Sequence, residues 1–169
     1  MSALWVVLGL VVVQRLAELA WSARNTRALL ARGGREAGAG HYPLLVLLHA
    51  SWLAAMALTV PPATPVNWTW LGLFLVLQVA RLWVMASLGP YWTTRIITVD
   101  GAPLVRRGPY RFMRHPNYAV VAGEMAALPM AFGAWRLALA FSLLNGLVLW
   151  LRVRTENAAL AGRRLTAAG

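Results

Sequence analysis

Two short stretches of this chain gather the side chains best suited to chemistry. The first runs Gly108-Pro109-Tyr110-Arg111-Phe112-Met113-Arg114-His115-Pro116-Asn117-Tyr118, and the second is Arg152-Val153-Arg154-Thr155-Glu156. Tyr110 and Tyr118 offer rings that stack and hydroxyls that donate, while His115 suits an amine, a ribose or a carboxylate. Arg152 and Glu156 are four apart, so a helix puts them on one face. Together these groups suit a polar ligand carrying both an aromatic base and a zwitterionic tail, bound beside an apolar partner. The ordinary reading of Arg152 and Glu156 is a surface ion pair contributing about 0.3–0.5 kcal/mol. Spacing alone leaves both readings open.

The elements that must position these groups follow from composition. Of 169 residues, 60% are hydrophobic and 12% charged, against about 25% charged in a soluble domain. A free globule and a disordered chain are both excluded by that balance. Five stretches, 3–21, 44–60, 68–88, 118–134 and 137–151, are apolar enough to approach the roughly 17 to 25 residues of a spanning helix. The last two form a tight hairpin, and Pro116 fits the first turn of the fourth helix because it has no N–H to leave unpaired. The expected fold is an all-α integral membrane protein with about five transmembrane helices. It forms one membrane domain over 1–169, with three N-terminal helices in 1–88 and a cofactor-binding loop, hairpin and C-terminal segment in 89–169. Loop 31–40, rich in glycine and alanine, is expected to be mobile, and Ile96, Ile97 and Val99 suggest a brief strand before the turn at Asp100-Gly101.

Every one of the 16 basic residues is arginine, against 5 acidic residues. They lie between the apolar runs instead of forming one stripe, which argues for membrane orientation and against nucleic acid. Arginines follow helices one, three and five, so the N-terminus is expected outside and the C-terminus in the cytoplasm, with the ligand pocket on the cytoplasmic side. No Lys or Arg precedes the first apolar run, so it reads as a retained helix and not a secretion signal. Trp5, Trp21, Trp68, Trp70, Trp92, Trp135 and Trp150 fall near span ends and read as interfacial anchors. Cysteine is absent, which removes disulfides, thiolate zinc, iron–sulfur clusters and a cysteine nucleophile. Three scattered histidines lack ligand spacing, so no metal is expected. His49, inside the second helix, reads as a helix-to-helix hydrogen bond.

Charges inside the spans need partners, because each costs on the order of 2.5–3.5 kcal/mol to insert. Arg15 and Glu18 are three apart and can pair. Arg81 and Glu124 have no local partner of opposite sign, which leaves either a long-range bridge between them or a functional role.

The run from Gly108 to Tyr118, followed after a hairpin by Arg152 and Glu156, resembles the isoprenylcysteine carboxyl methyltransferase family. The likeness covers Tyr91 to Leu160, and the shared pattern is Arg-His-Pro-x-Tyr, a helical hairpin, then Arg with Glu four residues on. Gln14-Arg15, Glu18 and Ser22-Ala23-Arg24-Asn25 are similar to bacterial members. Related membrane reductases share part of the first block. The resemblance implies an integral membrane enzyme of the bacterial inner membrane that uses S-adenosyl-L-methionine. It implies cofactor contacts from Ala102, Pro103, Leu104, Val105, Tyr110, His115, Pro116, Asn117, Tyr118 and Glu156, with Arg152 as the catalytic group facing the acceptor oxygen. Asn157 stands where the family usually carries a second acidic residue. The acceptor it implies is a lipophilic carboxylate, enol or phenol, either prenylcysteine-like or an alkylpyrone or alkylresorcinol. An NADPH-dependent membrane reductase and a non-catalytic scaffold are the competing readings. A soluble methyltransferase is disfavoured, since no strand leads into a Gly-x-Gly-x-x-Gly turn.

Overall fold

In hydrocarbon, backbone polar groups must be satisfied within the chain, and a helix does so locally. The computed structural model describes residues 2–102 and 104–166, the last five in backbone only, and most of them are helical. Five helices follow in order: α1 (Ala3–Ala31), α2 (Tyr42–Thr59), α3 (Trp68–Leu88), α4 (Pro116–Ala131) and α5 (Trp135–Thr166). Between them, among the described residues, come two three-residue strands, β1 (Arg35–Ala37) and β2 (Ile96–Thr98), and short 3-10 turns at Ala39–His41, Gly89–Tyr91 and Gly108–Arg111. Among the described residues, four segments are long and apolar enough to cross a membrane: Ala3–Ala31, Ala39–Thr59, Trp68–Tyr91 and Trp135–Ala161. The 16 residues of α4 are not among them.

α4 is nevertheless the most enclosed helix, with Val120, Val121, Glu124, Met125, Ala127 and Leu128 all buried. It packs beside α3 and α5, and its end is tied to the start of α3, where the Asn67 N–H donates to the Ala131 carbonyl at 2.8 Å. At the opposite end of α3, Arg107 Nε donates to the Ser87 carbonyl at 2.8 Å, fixing the segment that leads into α4. Pro116 opens α4 at its first position, as its missing N–H predicts. The apolar core joins Leu4 and Leu8 of α1, Trp52 and Met56 of α2, Phe74 of α3, and Met125 and Leu128 of α4.

α1 and α5 continue well beyond the apolar stretches that announce them. Hydropathy marks where a helix leaves hydrocarbon, not where its hydrogen bonding stops. Arg152 and Glu156 therefore sit within α5 instead of following it. Segment 31–40, expected without structure, supplies β1, which pairs antiparallel with β2 in the register Arg35↔Thr98, Glu36↔Ile97, Ala37↔Ile96. Trp5, Trp68, Trp135 and Trp150 are exposed, in keeping with anchoring. Trp92 is not: it is buried, and its ring lies 5.6 Å from that of Trp21.

The intramembrane charges form one layer. Arg81 grips Glu18 with two bonds, Nε to Oε1 at 2.7 Å and Nη2 to Oε2 at 2.6 Å, and reaches Glu124 Oε2 at 3.2 Å. Arg15 bonds Glu18 at 2.9 Å and Glu124 at 2.8 Å. Gln14 and Gln78 fill the remaining carboxylate positions at 3.0 and 2.8 Å. The expected pairings of Arg15 with Glu18 and of Arg81 with Glu124 are thus two edges of a network with two positive and two negative charges. Among the described residues His49 makes no hydrogen bond to another helix; its Nδ1 lies 2.9 Å from the Leu45 carbonyl one turn back on α2.

Candidate active site

The start of α4 and the extended part of α5 meet on one side of the molecule, which brings together residues about 40 positions apart in sequence. The rings of His115 and Tyr118 stack with centroids 5.4 Å apart and planes 18° apart. Tyr118 Oη donates to Glu156 Oε2 at 2.6 Å, and His115 Nδ1 lies 3.6 Å from the same oxygen. His115 Nε2 meets Asn157 Oδ1 at 3.3 Å, so the amide at position 157 fills the place of the expected acidic residue. Burial pushes the Tyr110 phenol above its ordinary value and the Glu156 carboxylate adds to the push, which keeps it a neutral O–H donor.

Arg152 and Glu156 form no ion pair. The buried Arg152 instead donates from Nη2 to the Thr94 carbonyl at 2.8 Å, with its guanidinium carbon 5.9 Å from the Tyr118 ring centroid. Thr94 is held in turn by α1. Its N–H donates to Ser22 Oγ at 2.8 Å, and the two hydroxyls are also 2.8 Å apart. Asn25, one turn on, donates to the carbonyls of Gly89 at 3.1 Å and Trp92 at 2.8 Å. The loop between α3 and α4 is therefore bolted to α1 by Ser22 and Asn25, and Arg152 is anchored to that loop. A second tie is Arg95, whose Nη1 bonds both Glu36 oxygens at 3.0 Å and whose guanidinium carbon lies 4.3 Å from the Tyr42 ring centroid.

These groups border a cavity of about 1240 Å3. Its polar end is lined by Leu104, Val105, Tyr110, His115, Asn117, Tyr118, Arg152 and Glu156. Its other end runs between α1 and α2 past Val12, Val13, Leu16 and Val46, which are exposed apolar side chains. Of the remaining expected contacts, Ala102 caps the turn after β2 through its N–H to the Val99 carbonyl at 3.2 Å. Pro116 is buried at the head of α4. Neither lines the cavity, and Pro103 lies outside the described residues. Thr94 and Tyr42 line it without having been singled out by sequence. The signal for Ser22 and Asn25 was their spacing from Leu4, Leu8, Val11 and Glu18, a single buried stripe along α1 that turns from apolar to polar.

The sequence pattern of the isoprenylcysteine carboxyl methyltransferase family matches residues 70–162, more than half of the chain. The chain belongs to the isoprenylcysteine carboxyl methyltransferase family. It is accordingly a membrane methyltransferase, with the polar cavity end and the Arg81 and Glu124 members of the charged layer inside the matched region. Over 161 residues this methyltransferase is 37% identical to the uncharacterized protein YpbQ of Bacillus subtilis (strain 168), covering 92% of this chain and 95% of that one. An uncharacterized protein of Haemophilus influenzae is 28% identical over 152 residues, covering 87% and 88%. No solved structure matches it significantly.

Proposed function

We propose that this protein is an S-adenosylmethionine-dependent O-methyltransferase of the bacterial inner membrane, with its C-terminus in the cytoplasm, acting on a lipophilic carboxylate, enol or phenol. The observation that carries the reading is the shared cavity. The stack of His115 and Tyr118, the Glu156 carboxylate and the Arg152 guanidinium border one end, and an apolar cleft between α1 and α2 forms the other. At about 1240 Å3 it exceeds the roughly 300–1,000 Å3 of ordinary ligand sites, which leaves room for a cofactor and an acceptor together.

The donor set fits the proposed cofactor. Asn117 Oδ1 is buried without a hydrogen-bond partner among the described residues, and Glu156 Oε1 is not used by Tyr118. Both are acceptors, suited to an ammonium group or ribose hydroxyls. The aromatic pair and the aliphatic Leu104 and Val105 suit a purine. When bound, S-adenosylmethionine supplies an electrophilic methyl group on a sulfonium. The work left to the chain is positioning. Arg152 spends Nη2 on Thr94, and its buried Nε has no hydrogen-bond partner among the described residues. That donor would hold an anionic acceptor oxygen in line with the methyl group, and an acceptor already ionised needs no general base. The likeness to bacterial relatives supports a small lipophile, such as an alkylpyrone or alkylresorcinol, over a prenylated protein terminus.

Calorimetry of the detergent-purified protein with S-adenosylhomocysteine tests the reading. Saturable one-to-one binding is expected, as is transfer of label from methyl-tritiated S-adenosylmethionine to an alkylresorcinol in mixed micelles. Failure of the parent protein to bind S-adenosylhomocysteine would end this interpretation.

A further inference from the structure

The polar groups that α1 and α2 present to the lipid-level part of the cavity are Arg15, Glu18 and His49, and they differ in one respect. Arg15 and Glu18 are ion-paired with each other and with Arg81 and Glu124, two charges of each sign, so that wall neither attracts nor repels a net charge, and the atom left over there, the buried Arg15 Nε, is a donor. His49 is engaged at one nitrogen only. Nδ1 faces the Leu45 carbonyl, which can only accept, so Nδ1 carries the hydrogen and Nε2 of the neutral ring keeps its lone pair. Nε2 has no hydrogen-bond partner among the described residues. An acceptor atom left unmatched in an apolar cleft is costly unless something fills it.

Its depth follows from two helices independently. Arg15 stands seven residues from Ser22 on α1, and His49 stands seven from Tyr42 on α2; Ser22 and Tyr42 both meet Thr94, the residue that anchors Arg152. Seven residues are about 10 Å of helix rise. His49 therefore sits on the route from the apolar cleft to Arg152, at the level of the charged layer.

Resting on the methyltransferase reading above, we propose that His49 is an acceptor-binding residue. Its Nε2 accepts a hydrogen bond from a polar hydrogen of the lipophile other than the oxygen that receives the methyl group. The preferred acceptor thus carries a second hydroxyl, and a singly hydroxylated analogue with the same tail leaves Nε2 unmatched.

The test compares 5-pentadecylresorcinol with 3-pentadecylphenol, which differ by one hydroxyl, in mixed micelles with saturating S-adenosylmethionine. The parent protein should favour the resorcinol by about five- to tenfold in kcat/KM, mostly through KM. His49→Phe should erase that preference by raising KM for the resorcinol alone, while His49→Gln, which keeps an acceptor oxygen, should restore part of it. His49→Leu replaces the Phe variant if the larger ring stops turnover of both lipids. Each variant should bind S-adenosylhomocysteine as the parent does. A preference that survives in both His49→Phe and His49→Leu overturns the inference. So does a parent that binds S-adenosylhomocysteine but methylates neither lipid, which leaves the methyltransferase reading intact for other acceptors. Absence of S-adenosylhomocysteine binding overturns that reading itself.

Discussion

At the scale of single residues, Glu156 joins the two halves of the proposed cofactor site, because Tyr118 donates to it and His115 lies beside it. Hydrogen bonds to charged groups contribute about 1.5–3 kcal/mol. Glu156→Ala should therefore weaken S-adenosylhomocysteine binding by about tenfold or more in calorimetry, and Tyr118→Phe by less, since the carboxylate remains. Arg152→Ala should lower turnover while sparing that affinity; equal loss of both would contradict the division of labour between the two side chains. Tyr110 gives a prediction with a definite sign. Its phenol is shifted upward by burial and then by Glu156, so it stays protonated as pH rises through the ordinary tyrosine value of about 10. Tyr110→Phe should leave the phenolate absorbance gained at 295 nm near that pH unchanged. A smaller gain in the variant would place Tyr110 in water.

At the scale of elements, the loop that carries Tyr110 depends on Gly108. Its φ of +58° and the collision that an added Cβ would make with Ser87 Oγ leave no room for another residue. Gly108→Ala should lower stability by about 1–3 kcal/mol and loosen cofactor binding with it, read together as a falling melting temperature and a weaker calorimetric signal. Much of this level was legible beforehand. The apolar runs announced the helices, Pro116 fixed the start of α4, and Ile96 and Ile97 announced β2. What escaped notice was β1, because Arg35-Glu36-Ala37 has no strand-like composition and acquires its pairing only from Ile96–Thr98, some 60 residues away. The polar continuation of α1 escaped for a related reason. Ser22 and Asn25 lie on the buried stripe of the helix, but the loop they clamp comes from 64 to 72 residues further along the chain.

At the scale of the whole molecule, stability turns on the layer of Arg15, Glu18, Arg81 and Glu124, which ties α1, α3 and α4 together. The sequence exposed each charge as an anomaly, yet the partners of Arg81 lie 63 and 43 residues away, beyond any local pattern. Removing one member should cost more than removing an opposed pair, since the survivor of a broken pair keeps its charge without a counterion. Arg81→Met should destabilise by about 3–5 kcal/mol, and Arg81→Met combined with Glu18→Leu by clearly less, because Arg15 and Glu124 still pair. Thermal unfolding in one detergent measures both; equal losses would mean that packing outweighs electrostatics there.

The cleft between α1 and α2, walled by exposed valine and leucine side chains, has a kinetic corollary. An acceptor arriving by that route is drawn from a two-dimensional reservoir, so its effective concentration is a mole fraction among amphiphiles and not an amount per litre. Adding inert detergent at fixed total acceptor should slow turnover by surface dilution, while diluting the whole sample with buffer should leave the rate per enzyme nearly constant.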